Sequence, residues 1–301
     1  MPRMKTPFFD FWTRCALYFR GKLHRKWCCG LCENTSISEN WDITVVIVVR
    51  DMQESLWRAM DSAAIAIDCL LKHAGGPLRA GILVFDDGSR DASRQEARRF
   101  ADLTPVPMRV VHSRWPLGVS RARNLALAHV NSSWLVFLDA DNTLVPEGLA
   151  RLHALVVDNP DAVLAHGALR TISRQGIMDE RMGTERFEFS RGLTEGPLHD
   201  ITAMYQRSVL LQLGGFDESL LLALWGFEDF DLWMRMGQAG LPMAHQPILI
   251  GTVLRSAQGH WARRTARTLG RVQSVFAKRL GPGFTAYTAG QSSDPMGPPK
   301  D

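Results

Sequence analysis

Carboxylates gather where their spacing could do chemistry. "WLVFLDADNTLV", Trp134 to Val145, closes an apolar run with Asp139-Ala140-Asp141. Two carboxylates at that spacing can hold Mg2+ or Mn2+, hard cations that take oxygen ligands and bridge phosphates. Left unpaired at the end of a hydrophobic strand, they would be costly. "LWGFEDFDLWMRMG" brings Glu228, Asp229 and Asp231 to one helix start. The helix dipole accounts well for one acid there and less well for three. "FDDGSRDAS" sets Asp86 and Asp87 at a strand end before a turn. They can accept hydrogen bonds from a uracil or ribose edge, or simply form a turn with a helix cap.

Two further stretches supply other chemistry. "LGVSRARNLAL" places Arg121 and Arg123 near a helix N-terminus, where guanidinium and backbone N–H groups can meet a diphosphate. A solvated surface helix would carry the same arginines, but Asn124 among alanines and leucines fits a surface helix poorly. Trp225 can stack on a sugar face, and Gly226 lets the backbone pass close to a ligand.

These residues need elements to position them. "ITVVIVV" (43–49) is a β-branched run and reads as a buried strand. Helical spacing follows over 53–74 and stops at Gly75-Gly76-Pro77. "AGILVF" (80–85), "MRVVHS" (108–113) and "WLVFLD" (134–139) are three more strands. Helices lie between them at 92–101, capped by Asp91, and from Gly118 to Val130. This alternation predicts an α/β fold, a mainly parallel sheet flanked by helices, with ligands at the carboxyl ends of its strands. Arg50-Asp51, Asp86-Asp87, Ser113-Arg114 and Asp139/Asp141 all fall at those ends. Beyond them we expect a strand at 162–172, a polar loop at 173–198 and helices at 208–216 and 229–240.

Composition is that of a globular chain: 301 residues, 46% hydrophobic and 22% charged. The net charge of +4 is uneven, with +4 in residues 1–40 and +6 in 261–280, so the rest carries −6. An acidic body argues against nucleic acid as a partner. Basic ends suit contact with an anionic membrane surface. Phe8 to Leu23 reads as an amphipathic helix, packed on the body or lying in a membrane interface. Five cysteines, including Cys29-x-x-Cys32, make no disulfide framework and read as reduced. No segment approaches the ~20 apolar residues of a membrane span, and no signal-peptide pattern is present. The expectation is a cytoplasmic protein, peripheral on the inner face of the membrane if its basic ends engage lipid.

Together "VVIVVRD", "DDGSRD", "GVSRARN", "LDADN", "LGGFDE" and "WGFEDFDL" resemble the inverting nucleotide-sugar glycosyltransferases of family 2, with the GT-A fold. The resemblance runs from Ile43 to His260, and the Trp225–Asp229 segment also looks like that of β-1,4-galactosyltransferases. It implies one catalytic domain over 41–280: a nucleotide-binding half (41–145), an acceptor-binding half (146–260) and a basic C-terminal helix (261–280). A basic extension (1–40) and a disordered tail (281–301) flank it. By the resemblance, Asp86, Asp87, Arg123 and Asn124 meet the donor nucleotide. Asp139 and Asp141 hold Mn2+ or Mg2+, Asp139 also touching the nucleotide. Asp229 is the catalytic base, with Glu228 beside it at the acceptor together with Trp225 and Gly226. His260 is the preferred further metal ligand and His245 its competitor. Val48, Val49, Arg50 and Asp51 stand where the family usually has Pro-x-Tyr-Asn. Asp51 takes the polar nucleotide contact, and Arg50 in place of an aromatic bears on base and sugar preference.

The implied reaction moves a sugar from a nucleoside-diphosphate sugar, UDP-linked by preference, to a hydroxyl of a glycan, lipid-linked or protein acceptor. Two alternatives compete. Asp139-x-Asp141-x-Thr143 also fits the nucleophile loop of haloacid-dehalogenase-type phosphatases, with Asp139 as aspartyl nucleophile. In those enzymes the motif lies on the first strand and a lysine follows. Here three strands precede it, and no lysine occurs between Trp134 and Lys278. An inactive nucleotide-sugar-binding protein on the same fold is the other, opposed by the retained acids.

Overall fold

The computed structural model describes residues 40–173, 176–183, 186–188, 199–218 and 227–255. The extension, its CxxC pair, the basic segment 261–280 and the tail lie outside the described residues.

The first half alternates as its pattern requires. Strands β1 (Ile43–Val49), β2 (Ala80–Asp86), β3 (Met108–His112) and β4 (Trp134–Asp139) alternate with helices α1 (Gln53–His73), α2 (Ser93–Leu103) and α3 (Val119–His129). The strands pair in parallel, β3-β2-β1-β4. Period-two alternation splits β1 between two cores. Ile43, Val45, Ile47 and Val49 face the layer of α1 and α2, while Val46 and Val48 face the layer of α3. Helix α1 buries Leu56, Ala59, Met60, Ala63, Ala66, Ile67 and Leu70, a stripe at spacings of three and four. Each large side chain so buried contributes ~1.5–3 kcal/mol.

The second half is mixed. It contains β5 (Thr143–Leu144), α4 (Gly148–Asp158), β6 (Leu164–Ser173), β7 (Gly176–Met182), β8 (Met204–Gln206), α5 (Arg207–Gln212), α6 (Glu228–Gln238) and β9 (Met243–Arg255). Among the described residues nine strands form one sheet, ordered β3-β2-β1-β4-β8-β6-β9-β5, with β7 on β6. β8 joins the halves, antiparallel to both β4 and β6. This is the GT-A arrangement of a Rossmann-like parallel half and a mixed second half.

One local expectation is corrected. Residues 173–198 are not all loop, because Gly176–Met182 returns as a strand antiparallel to β6, the strand just before it. Thr143, the last residue of the phosphatase-like pattern, pairs with Thr252 in β9, a partner remote in sequence that a local pattern does not contain.

Candidate active site

The parallel register brings the strand-end acids together. Val49 stands opposite Asp86, and Val48 opposite Asp139. The two carboxylates therefore flank the end of β1, one on each side. Asp86 is buried, and its Oδ1 accepts the Ser89 N–H at 3.1 Å.

Asp51 leaves β1 with φ of 52°, in the left-handed region that non-glycine residues seldom enter. Its N–H donates to Ser89 Oγ at 3.0 Å, and its Oδ1 accepts the Arg90 N–H at 2.7 Å. It is exposed, and it braces the loop after β2. Asp91 sits one residue ahead of the N-cap position, Ala92. Its carboxylate accepts N–H groups of Ser93 and Gln53 and so ties the starts of α2 and α1 together.

Asp87 is turned into the scaffold. Oδ1 accepts the Leu117 N–H at 2.7 Å and Oδ2 the Gly118 N–H at 3.0 Å. Burial pushes its carboxyl up, against those two N–H groups. Gly88 follows at φ +65°, and a Cβ there would lie 2.7 Å from the Trp115 carbonyl carbon. Asp87 and Gly88 thus clamp the loop that leads into α3. Trp115, on that loop, is exposed at 67% with the Arg114 guanidinium over its ring.

Arg123 is the hub of the site. It is 3% exposed, and its Nη2 donates to Asp139 Oδ1 at 2.6 Å and its Nη1 to Glu228 Oε1 at 2.7 Å. Burial alone would lower its pKa, but the carboxylates of Asp139, Glu228 and Asp229 outweigh that and raise it. Sequence placed this arginine at the diphosphate. The structure places it between the donor-side strand end and the first turn of α6. Glu228 itself is pushed up by burial, against Arg123, and its Oε2 has no hydrogen-bond partner.

The acids of α6 separate by role. Asp231 is buried, and its Oδ2 accepts Arg235 Nε at 2.7 Å. Arg235 also donates to the carbonyls of Leu213 and Gly215. Asp231 is therefore structural. Asp229 Oδ1 accepts the N–H of Phe230 at 2.7 Å, and its charge is felt by Arg123, Asp200 and Tyr205. Asn124, expected at the nucleotide, has its amide engaged elsewhere. Nδ2 donates to the Phe216 carbonyl and Oδ1 accepts the Phe216 N–H, both at 2.8 Å, and Nδ2 also reaches Glu218. It ties α3 to the loop after α5, the physical reason for an amide among alanines and leucines.

The metal question turns on Asp139 and Asp141. Burial, then the Asp139 carboxylate, push the Asp141 carboxyl up to about 7, with Asp200 adding to the push. Such crowded negative charge is what a divalent cation offsets, so the donor set fits a hard cation. Among the described residues no group of three His, Cys, Asp or Glu converges to hold one. His260, Trp225 and Gly226 lie outside the described residues. His245 lies in β9, where its Nε2 meets the Gly183 carbonyl at 3.1 Å and its ring packs 4.4 Å from His166. That places it in a cluster of His166, His199 and Trp233.

One acid escaped sequence reading altogether. Asp200 precedes β8, and burial, then Asp139, push its carboxyl up to about 7. It stands alone in "LHDIT" with no motif around it. Its only sequence signal is a carboxylate a few residues ahead of a short strand.

The family model for glycosyl transferase family 2 matches residues 44–214. The chain belongs to that family. The succinoglycan biosynthesis protein ExoU of Rhizobium meliloti is 28% identical over 207 residues, 64% of this chain. The chain spans 59%, 60% and 56% of the lengths of three such curated relatives. Among solved structures, the fold matches S. aureus TarS 1-349 in complex with UDP-GlcNAc at a TM-score of 0.59 and 15% identity, over 78% of this chain and 66% of that one. It also matches the mannosyltransferase PcManGT of Pyrobaculum calidifontis in complex with GDP-Man and Mn2+, at 0.58 and 18% identity, over 97% and 76%. Family membership sets the phosphatase reading aside, and the Arg123 bond to Asp139 Oδ1 leaves that oxygen poorly placed as a nucleophile.

Proposed function

We propose that the chain transfers a sugar, with inversion, from a nucleoside-diphosphate sugar to an acceptor hydroxyl, with Asp229 as base. The observation that carries this reading is the Arg123 bridge. It joins Asp139, at the donor end of β4, to Glu228, the neighbour of Asp229. One buried cation thereby sets the distance between a donor-side carboxylate and the helix start that presents the base.

In the proposed step an acceptor oxygen attacks the anomeric carbon. Its bond to that carbon forms as the bond from carbon to the phosphate oxygen breaks. The proton passes to Asp229, and the bonding pair leaves with the nucleoside diphosphate. A positioned base of this kind contributes ~10²–10⁴-fold. Mn2+ or Mg2+ held by Asp139 and Asp141, with His260 as a further ligand, would neutralise charge on the diphosphate. Asp86 and Asp51 supply acceptors along the edge where the nucleoside would lie, and Asp87 shapes the loop beside them.

UDP is the nucleotide we favour. The two structural neighbours carry UDP-GlcNAc and GDP-Man, so the fold admits either base. The succinoglycan relative supports a role in building a polysaccharide or glycoconjugate, on a glycan, lipid-linked or protein acceptor. No helix among the described residues is long and apolar enough to cross a membrane. The basic ends would supply peripheral contact with an anionic leaflet.

The test is calorimetric binding of UDP-, GDP- and dTDP-sugars with and without Mn2+, alongside donor hydrolysis. Wild-type protein should bind at least one donor more tightly with Mn2+, and Asp141→Ala should lose that gain. Absence of donor binding in the wild type would overturn the proposal.

A further inference from the structure

The helix that carries the candidate base rests on a stack of rings. Asp229 and Trp233 lie four residues apart on α6, and so on one face, one turn apart. Trp233 is buried. His199 stacks on its ring at 4.8 Å and 25°, while His166 and Phe187 meet it at 5.2 and 5.3 Å. Tyr205 also packs on Trp233, at 6.4 Å, and feels the charge of Asp229. The rings around Trp233 therefore set where α6 holds Asp229.

His166 is the centre of this stack. It stands opposite His245 in the parallel pairing of β6 with β9, and the register shifts immediately after that pair. At the shift Gly167 packs so tightly that a Cβ would lie 2.7 Å from the Ile248 carbonyl oxygen. Such irregularities re-aim side chains. His166 is 2% exposed, and neither ring nitrogen has a hydrogen-bond partner among the described residues. A neutral imidazole carries one donor and one acceptor. A protonated one carries two donors and a charge, and here both donors would go unmet. The groups facing the ring do not help. His199 from the segment before β8, His245 from β9 and Arg186 from the segment after β7 all oppose a proton on it, and α6 presents the uncharged Trp233. Burial first, then these three, hold its pKa well below the usual histidine value. His245 Nε2 donates to the Gly183 carbonyl, and among the described residues no three ligands converge, so the rings pack on one another rather than around a cation.

Resting on the glycosyl-transfer reading, we propose that the His166–His199–Trp233 stack is the seat that positions Asp229, and that it holds only while His166 is uncharged. His166 and Trp233 are positioning residues, acting through the place they give Asp229. Acid unseats α6, because the His166 ring must leave its packing to take a proton. The stability that the neutral ring supplies is complete above about pH 6.5, the ordinary histidine value, and is lost as pH falls through the lowered one. His245, lowered chiefly by burial, adds a second proton to the opening. The raised carboxyls of Asp141 and Asp200 act on the whole fold in the opposite sense, so the switch shows locally, at α6. Strands β1–β4 carry the donor-side acids, so donor binding outlasts turnover.

The test uses the full chain at saturating Mn2+, with UDP-glucose, UDP-GlcNAc and GDP-mannose as donors and donor hydrolysis as the turnover. Rates are taken from pH 8 to pH 5, each protein normalised to its own rate at pH 8. On its acid limb the wild type should fall by more than about tenfold per pH unit, the limit for one proton, with tryptophan near-UV circular dichroism changing over the same range. His166→Phe keeps a ring and removes the titration. Its limb should be no steeper than about tenfold per unit, and its dichroism change should be weaker. At pH 8, Trp233→Leu should lose about 10²-fold in kcat with donor Kd within about twofold of wild type, and Trp233→Phe should recover part of the loss. Three results would overturn the proposal: a wild-type limb of tenfold per unit or less, wild-type steepness in His166→Phe, or a loss of donor affinity in Trp233→Leu equal to its loss of turnover. Failure of the glycosyl-transfer reading would look different. The wild type would then bind no donor, while the dichroism of wild type and His166→Phe would still report the seat.

Discussion

Arg123 Nη1 donates to Glu228 Oε1 across 2.7 Å, joining helices whose residues lie 105 positions apart. Both side chains are almost fully buried, at 4% and 6% exposure. Removing the cation leaves a buried carboxylate uncompensated, which typically costs ~3–5 kcal/mol. Arg123→Ala should therefore lower the denaturation midpoint sharply in urea, and Arg123→Lys should recover only part of it. Lysine cannot present two fixed donors to Asp139 and Glu228 at once.

Asp229→Asn keeps the shape of the side chain and removes its basicity. We expect transfer to fall by ~10²–10⁴-fold with donor affinity unchanged. Single-turnover kinetics with a bound donor would check this, and a mutant that transfers at the wild-type rate would remove Asp229 from the proposed role.

The carboxyls of Asp141 and Asp200, each raised to about 7, make a prediction about pH. An acid raised from 3.8 binds more protons folded than unfolded between the two values, so stability falls as pH rises through that window. Metal-free protein should thus be more stable near pH 5 than near pH 8. Mn2+ competes with the Asp141 proton, so its affinity should rise with pH and level off above about 7. Asp141→Asn should stabilise the metal-free protein at pH 8 by at least about 1 kcal/mol while abolishing the Mn2+ effect. Thermal melts at both pH values, with and without Mn2+, provide the measurement.

Asn124→Ala should destabilise by ~1–3 kcal/mol, because it leaves the buried turn at Phe216 without its amide partner. Donor affinity measured on the folded fraction should change little. A large loss of donor affinity without loss of stability would return Asn124 to the nucleotide.

Much of this fold was legible in the sequence. The β-branched runs, their spacing and the acids at their ends specified four parallel strands and one functional edge, because strand and helix periodicities are local. Sequence also singled out Asp139, Asp141, Glu228 and Asp229 through motif order. What each polar group does was decided only in three dimensions. Asp231 pairs with Arg235, Asn124 holds Phe216, and Asp87 holds Leu117 and Gly118. Asp200 lies just ahead of β8, whose antiparallel pairing with β4 joins segments some seventy residues apart and leaves no local pattern. Periodicity reports which face a residue occupies. Charge pairing, burial and the choice among several acids depend on what the fold brings opposite: the Arg123 guanidinium for Asp139 and Glu228, Arg235 for Asp231 and backbone N–H groups for Asp87.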